Sequence, residues 1–473
     1  MLPETPARIH MVGIGGSGMS KLATLLSDWG YVVTGSDAHE SPVMGVLEAR
    51  GIQIASGAAG VETCSDAALV VRSAAVPDDD AEVAAARARG VPVIKYAEAL
   101  GEATRLLPTV AVAGAHGKSS TAAMITKVLV DGHFRPAFVI GADVPQLDGL
   151  RRPRTASFLV VEACEYDRSF HRLAPRFAAI TNVEPDHLDC YGSSKALTAA
   201  YARFASSLPT DGFLVANADC SLSRRVARAA RCRLITFGRN PRADYRILSM
   251  SSGAQAVMEL ADRSGTYTLR LPLMGRHNAF NAACAFAVCH SLGVAAHTIR
   301  AALETFTGAA RRLQTILSRP VNVIDDYAHH PTEIEAVVDA VTARHGRRSV
   351  FVFQPHQHTR LLDFFNEFVD ALAGAPESVV LPVYSVRESE RARRAVNHTA
   401  LAAAVVSHGA NCHAAASDDD ALEYLKQRLP YYKAICFMGA GDVWRLAYRL
   451  RAALLPTAPE IKPRRPERVS HAG

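Results

Sequence analysis

His10–Asp37 reads HMVGIGGSGMSKLATLLSDWGYVVTGSD, and it decides the fold of the first hundred residues. The apolar run RIHMVG, from Arg8, reads as a buried strand. Gly13, Gly15 and Gly18 then spell G-x-G-x-x-G. Met19, Leu22, Leu25, Leu26 and Trp29 recur at helical spacing, and YVVTGS reads as a second strand. A strand, a glycine turn, an amphipathic helix and a second strand form the βαβ unit of a parallel sheet. Glycines at such a junction let the backbone approach a phosphate, and the helix N-terminus offers free N–H groups. Asp37, about twenty residues past the loop, stands where an acid meets a ribose hydroxyl in dinucleotide sites. The motif alone leaves three readings open: a nicotinamide or flavin dinucleotide, another nucleotide diphosphate, or a tight turn. The extra Gly16, with Ser17 and Ser20, suits a diphosphate without choosing the nucleoside.

Outward from this unit, ALVVRS and VPVIKY continue the strand series to about Leu106. A new series then begins: TVAVAG, FLVVEA, AAITNV and GFLVAN read as central parallel strands. RCRLITFG and YTLRLPLMG are expected to form a side sheet, and NAFNAACAFAVCHSLG reads as a helix. After Gly308–Arg312 a third series follows, VNVIDDY, SVFVFQP, SVVLPVY and AICFMGAG, each separated by a helical stretch. The fold class expected is α/β in three domains: 1–106, 107–313 and 314–455. Residues 456–473, Pro-rich and basic, are expected to be a disordered tail. The charge run RESERARR at 387–394 reads as a solvated face.

Composition narrows the class. The 473 residues are 49% hydrophobic and 21% charged, ordinary for a globular enzyme. No apolar run reaches the ~20 residues that a membrane helix needs, and the N-terminus lacks a signal-peptide pattern. Nine scattered cysteines without a C-x-x-C pair favour reduced thiols and a cytoplasmic setting. The net charge of +6 lies partly in the basic C-terminus. Without an aromatic-studded basic stripe, no nucleic-acid partner is expected.

The second loop, GAHGKSS, comprises Gly114, Ala115, His116, Gly117, Lys118, Ser119 and Ser120. It lies between a strand and a helix and is a shortened P-loop, with its first glycine only three residues before Gly117. Its backbone amides can cradle phosphates, Lys118 can reach the β and γ oxygens, and Ser119 can hold Mg²⁺. Acids should then stand at neighbouring strand ends. Two clusters do: Glu162, Glu165 and Asp167 in EACEYDRSF, and Glu184, Asp186, His187 and Asp189 in TNVEPDHLDCYG. In the third series, Asp325, Asp326, Tyr327, His329 and His330 follow a strand, and Pro331 with Thr332 and Glu333 suits a helix start. The adjacent histidines lack zinc-pair spacing. His356, His358 and Arg360 in FQPHQHTR form a basic loop suited to a carboxylate or phosphate. MGAGDVW closes the last strand with another glycine turn.

Taken in order, GIGGSGMS, GAHGKSST, EACEYDRSF, TNVEPDHLDCYG, GRHNAFNAACA, GAARRL, DDYAHHPTE, FQPHQHTR and GAGD resemble the Mur ligases of peptidoglycan synthesis over roughly Ile9–Leu450. Within that family the motifs are most similar to those of the branch that adds L-alanine to UDP-N-acetylmuramate. The resemblance implies a Rossmann-like UDP-sugar-binding domain, a central P-loop ATPase-type domain and a Rossmann-like third domain that closes on the site. It implies an ATP-dependent amide ligase acting through an acyl phosphate, with Mg²⁺, or Mn²⁺ in its place, in a monomer or homodimer. It assigns UDP-sugar binding to Gly13, Gly15, Gly16, Ser17, Gly18, Met19, Ser36, Asp37 and Ser73. ATP binding falls to the second loop with Asn278, Asn281, Arg311 and Tyr327, and catalysis to Lys118, His187, Arg312 and Asp326. Metal binding falls to Ser119, Glu162 and His187. The lactyl and amino-acid side falls to His330, His356 and Arg360.

Departures from that pattern are Ala115 and Ser119, both mild, Cys164 where many relatives carry an acid, and Gln357 where many carry arginine. Three rivals stand beside this reading: a recycling ligase that attaches a tripeptide to the same sugar, an NAD-dependent oxidoreductase, and a nucleotide-sugar-binding protein without catalysis.

Overall fold

The structure, a computed structural model, describes residues 2–56, 64, 66–186, 188–251, 256–385, 388 and 390–455. The C-terminal segment 456–473 lies outside them. The chain divides into two compact units, Met1–Gln314 with Thr332–Gly346, and Thr315–Pro331 with the chain from Arg347 on.

The first unit holds two sheets. The N-terminal one comprises β1 (Arg8–Val12), β2 (Val32–Asp37), β3 (Gln53–Ser56), β4 (Leu69–Arg72) and β5 (Val93–Lys95), in the order β3-β2-β1-β4-β5. All pairings are parallel. Strand order reverses between β1 and β4, so a crevice opens past their C-terminal ends, where Gly13 and Ser73 lie. The helices α1 (Ser17–Asp28), α2 (Ala81–Ala88) and α3 (Tyr96–Leu106) accompany this sheet. Met19, Leu22, Leu25, Leu26 and Trp29 are all buried, as their spacing predicts. QIAS, not singled out as a strand from the sequence, forms the edge strand β3.

The second sheet has nine strands: β6 (Thr109–Ala113), β7 (Ala137–Val139), β8 (Leu159–Glu162), β9 (Phe177–Ile180), β10 (Phe213–Asn217), β11 (Arg233–Gly238), β12 (Tyr245–Ser251), β13 (Ala256–Asp262) and β14 (Gly265–Leu271). Their order is β14-β13-β12-β11-β10-β9-β6-β8-β7. Every residue of β6 is buried, which is why that strand reads as an unbroken apolar run. The expected side sheet is corrected here. RCRLITFG, as β11, pairs in parallel with β10 and extends the central sheet. Only β12, β13 and β14 run antiparallel to one another. The alternating burial of β12 shows the one-sided face of an edge ribbon. The helices α4 (Lys118–Asp131) and α5 (Arg276–Ser291) cover the sheet. α5 is buried almost all round, from Asn278 to Cys289 with only Phe280 excepted, so its small residues Ala282, Ala283, Ala285 and Ala287 allow close packing.

The third sheet comprises β15 (Gln314–Leu317), β16 (Asn322–Asp326), β17 (Ser349–Phe353), β18 (Ser378–Val380), β19 (Cys412–Ala414) and β20 (Ala434–Met438), in the order β15-β16-β20-β17-β18-β19. β16 through β19 pair in parallel through β20. α6 (Pro331–His345) begins at the proline, as its fixed φ favours, and α7 (His358–Asp363) follows β17. The described part of the charge run forms an exposed helix, Glu390–Ala395.

Candidate functional site: two phosphate cradles and an acid-held lysine

α1 and α4, the helices that follow the two glycine loops, share a feature. The N-cap of α1 is Gly16 and that of α4 is Gly117; neither gives a side-chain cap, and neither first turn holds an acid. By contrast, Asp80 caps α2 and accepts from the amides of Glu82 and Val83. A helix leaves its first N–H groups without intrahelical partners, and a side-chain cap removes some of them. α1 and α4 keep theirs for an anion.

In the first loop Gly13 has φ +79°, and a Cβ there would lie 3.0 Å from Ser73 Cβ. Gly13 and Ile14 donate their amides to Ser36 O at 2.8 and 3.0 Å. Asp37 Oδ2 accepts from Gly15 N at 2.8 Å, so the acid braces the loop from within. Two predicted ligand residues turn their side chains inward. Met19 is 3% exposed, in the core, and the Ser36 hydroxyl donates to Glu82 Oε2 at 2.7 Å. At these two positions the side chains are engaged within the protein, which leaves the backbone facing the loop. Glu82 also takes His10 Nε2 at 2.9 Å, and His10 Nδ1 meets Thr34 Oγ1 at 2.9 Å. This buried network under the loop was missed from the sequence. Thr34 and Ser36 lie two apart on β2 and His10 pairs with Thr34 from β1, while Glu82 comes from α2, so only the strand part left a pattern in the sequence, hidden by the apolar context. Ser17 is exposed at the mouth.

The second loop is tighter. Gly117 has φ +79°, and a Cβ there would be 2.3 Å from Asn281 Oδ1; one on Gly114 would be 2.0 Å from Thr181 Oγ1. Only glycine fits either place. Asn182 fastens the loop, its Oδ1 accepting from His116 N at 2.8 Å, and Thr181 Oγ1 donates to His116 O at 2.6 Å. Asn278, 4% exposed, donates to Met274 O at 2.8 Å and accepts from Asn281 Nδ2 at 3.3 Å. Asn281 thus faces the loop, and Asn278 holds Asn281.

Lys118 Nζ donates to Gly114 O at 2.6 Å, to Ala115 O at 3.1 Å and to both oxygens of Glu165 at 3.1 Å. Burial alone would lower the lysine; the Glu165 charge overrides it and holds Lys118 above the ordinary lysine range. Glu165 is the central residue missing from the predicted site, though it lay in the flagged acidic cluster. Phe170, stacked 5.1 Å from Phe204 and edge-on to Tyr201 at 5.2 Å, anchors that segment. The Ser119 hydroxyl donates to Glu162 Oε2 at 2.9 Å, and Glu162 Oε1 accepts from Gly141 N at 2.5 Å. Ser119 and Glu162 thus present hard oxygen donors at one point, the donor chemistry of Mg²⁺. The third predicted ligand, His187, and the side chain of Asp189 lie outside the described residues.

A charged cluster surrounds the loop's histidine. His116 Nε2 is 3.3 Å from Glu184, and Nδ1 is 3.2 Å from Glu333 in the first turn of α6. Arg312 reaches the same Glu333 at 3.7 Å. Burial alone would lower His116, but the Glu333 charge and the bond to Glu184 raise it to about 9. His277 is pushed down to about 4, by burial first. Arg311, with φ +57°, donates its amide to Gln314 Oε1 at 2.9 Å.

In the second unit, Asp325 and Asp326 are buried at the end of β16, and Asp326 Oδ1 accepts from Ala328 N at 2.7 Å. Tyr327 meets His329 edge-on at 5.4 Å. His330, 5% exposed, packs against Phe364. His356 stacks on Tyr384 at 5.6 Å; burial, then the Arg360 charge, push it down to about 4. Glu388 was not predicted. It accepts from the amides of His358 and Thr359 at 2.9 and 2.8 Å, and meets His358 Nδ1 at 3.0 Å. It therefore caps α7, which carries Arg360. Gln357, the N-cap, has φ +70°.

Three family models cover most of the chain. The Mur ligase family, catalytic domain, matches residues 8–106; the Mur ligase middle domain matches 112–289; the Mur ligase, glutamate ligase domain, matches 311–441. The chain belongs to the Mur ligase family. Among its relatives, the UDP-N-acetylmuramate--L-alanine ligase of Brucella anthropi is 36% identical over 95% of this chain and 97% of its own length. The protein of the same name from Arthrobacter sp. is 42% identical over 81% of this chain and 83% of its own. The crystal structure of UDP-N-acetylmuramate-alanine ligase from Thermotoga maritima superposes with a TM-score of 0.78 at 27% identity, covering 94% of this chain and 99% of the other. Membership of the Mur ligase family, carried by models over all three parts of the chain, stands against the dinucleotide oxidoreductase reading. Among the described residues, no helix is long and apolar enough to cross a membrane.

Proposed function

We propose that this Mur ligase joins L-alanine to the lactyl carboxylate of UDP-N-acetylmuramate in peptidoglycan precursor synthesis, forming ADP and phosphate. The observation that carries the reading is the pair of uncapped glycine-loop helices in one chain, with Lys118 held at the second loop by a buried acid. Similarity along nearly the whole chain to proteins named for this reaction supports it. In this reading, residues 1–106 bind the UDP-sugar, 107–313 bind ATP, and 314–455 complete the site.

A carboxylate is a poor electrophile, so it is first activated. A lactyl oxygen attacks the γ-phosphorus of ATP, and ADP leaves with the bridging oxygen. The free amine of alanine then attacks the acyl carbon. The tetrahedral intermediate expels phosphate, which takes the C–O electron pair, and the nitrogen loses its proton. Every reactant is anionic, so catalysis is largely charge neutralisation and alignment. The amides of the second loop and Lys118 hold the β and γ oxygens, and Arg312 lies beside the loop to meet the transferred group. Ser119, Glu162 and His187 would hold Mg²⁺, with Mn²⁺ as its substitute, which when bound neutralises phosphate charge. Asn281 and Asn278 support the nucleotide. Asp326, Tyr327 and Arg311 contribute from the third domain and its junction. His330, His356 and Arg360 face the lactyl group and the alanine carboxylate. The setting proposed is the cytoplasm; all nine cysteines are free thiols.

Phosphate release is measured with ATP, Mg²⁺ and UDP-N-acetylmuramate, comparing L-alanine, glycine, L-serine and tripeptide. Alanine-dependent release with a matching gain in mass of the nucleotide sugar is expected. Release with tripeptide alone would move the chain to the recycling branch. No release from a folded protein that binds both nucleotides would leave a binding protein.

A further inference from the structure

Tyr96, the first residue of α3, stands between the two cradles and was not singled out in the sequence. Its ring rests on Gly18, in the first turn of α1. A Cβ at Gly18 would lie 2.9 Å from both Tyr96 Cζ and Tyr96 Oη. The third glycine of the first loop is thus bare where the phenol arrives, and any larger residue would drive it away. The start of α3 is fixed from two sides. Glu98 accepts from Lys95 N at 2.9 Å, and Lys95 Nζ pairs with Asp167 at 3.0 Å. Asp167 belongs to the 3-10 segment Tyr166–Arg172, directly after Glu165. These ties hold the ring in place without using its hydroxyl.

The hydroxyl has no hydrogen-bond partner among the described residues, although Tyr96 is partly buried. The hydroxyl is not sealed in the core, so a ligand oxygen can reach it, and a charged phosphate oxygen is a stronger acceptor than water. Burial, and then the nearby Glu162 and Cys164, hold the phenol above the ordinary tyrosine range. Tyr96 therefore stays neutral and acts as a donor, the right polarity for a phosphate oxygen. The adjoining cavity of about 250 Å³ is lined by charges of both signs. Its cations are paired with acids, Arg72 and Arg87 with Asp78, Lys95 with Asp167 and Arg172 with Glu98.

We propose that Tyr96 Oη donates a hydrogen bond to a diphosphate oxygen of the UDP-sugar, beside the amides at the start of α1. The inference rests on the assignment of the first loop to the UDP-sugar, made above. Tyr96 is then a binding residue at the end of the cradle nearest Glu162, where it fixes the direction in which the sugar leaves the diphosphate.

Tyr96→Phe keeps the ring on Gly18 and removes only the hydroxyl. UDP and UDP-N-acetylmuramate are titrated by calorimetry, without ATP, against the wild type and this variant, and steady-state KM values are taken for all substrates. A neutral donor lost from a charged acceptor should weaken both Kd values about tenfold or more. The KM for ATP and for alanine should stay within twofold, and melting temperature should be unchanged. Unchanged Kd values in the variant overturn the proposal. So does a loss seen with UDP-N-acetylmuramate but not with UDP, which would put the contact beyond the diphosphate. A wild type that binds no UDP would instead refute the assignment of the first loop, and that comparison is made first.

Discussion

Lys118→Ala should separate stability, catalysis and substrate binding in one protein. Lys118 and Glu165 have side chains only 16% and 2% exposed, joined by two 3.1 Å contacts. Removing one partner of a buried pair leaves an uncompensated charge and costs about 3–5 kcal/mol. In a cooperative unit of about 150–250 residues each kcal/mol moves Tm by about 2–4 °C, so the variant should melt roughly 6–20 °C lower. Turnover should vanish, because Lys118 is the cation that lies against the Gly114 and Ala115 carbonyls of the second loop, where the phosphates are expected. UDP-sugar binding should persist, because that cradle belongs to the other sheet. Lys118→Ala/Glu165→Gln removes the stranded charge and should recover at least half of the lost Tm while staying inactive. Differential scanning calorimetry, phosphate release and UDP titration read the three quantities. An unchanged Tm in the single variant, or no recovery in the double, would refute the buried-pair argument. Loss of UDP-sugar binding in a folded variant would refute the division of labour.

Gly117→Ala places a Cβ 2.3 Å from Asn281 Oδ1 at a φ of +79°; the left-handed backbone alone costs roughly 1–2 kcal/mol, so KM for ATP should rise more than tenfold while UDP affinity holds. His116 is raised to about 9 by Glu333 and Glu184 against burial. Its stabilising contribution is complete below the ordinary histidine value, about 6.5, and is lost as pH rises through about 9. Melting curves from pH 6 to 9, with those limits set at about the two pKa values, should fall in the wild type and flatten in His116→Asn; parallel curves would count against it. Glu388, lowered to about 2 by the His358 and Thr359 amides against burial, caps the helix carrying Arg360. Glu388→Ala should raise KM for alanine by roughly tenfold, the equivalent of about 1.4 kcal/mol, with KM for UDP-sugar unmoved; equal changes in both would point to general loss of structure.

The strands around both glycine loops were legible because buried parallel strands are continuous apolar runs and the loops carry glycines at fixed spacing. β3 and β7 were not, being short edge strands with little pattern of their own. RCRLITFG looked like a side strand because its polar residues Arg231, Arg233 and Thr236 interrupt the apolar run. Its partner β10 lies in the central sheet, and only pairing reveals that. Within the site, residues on a loop motif were readable: Gly114, Gly117, Lys118, Ser119 and Glu162 all meet at one place. Glu388 and Tyr96 were not, and Glu165 and Glu333 were noted without their partners, because each acts on a motif far away in sequence. Asp37 shows the opposite limit. It ends β2, beside the loop, but its carboxylate turns back to Gly15 N.

The central claim is that ATP on the second loop activates the very carboxylate that becomes the amide. It is tested most directly by placing a heavy-oxygen label in the lactyl carboxylate of UDP-N-acetylmuramate and turning the enzyme over with ATP and L-alanine. The account predicts that one labelled oxygen per turnover leaves in inorganic phosphate, with the other retained in the amide carbonyl. Phosphate free of label, formed while the amide accumulates, would contradict it.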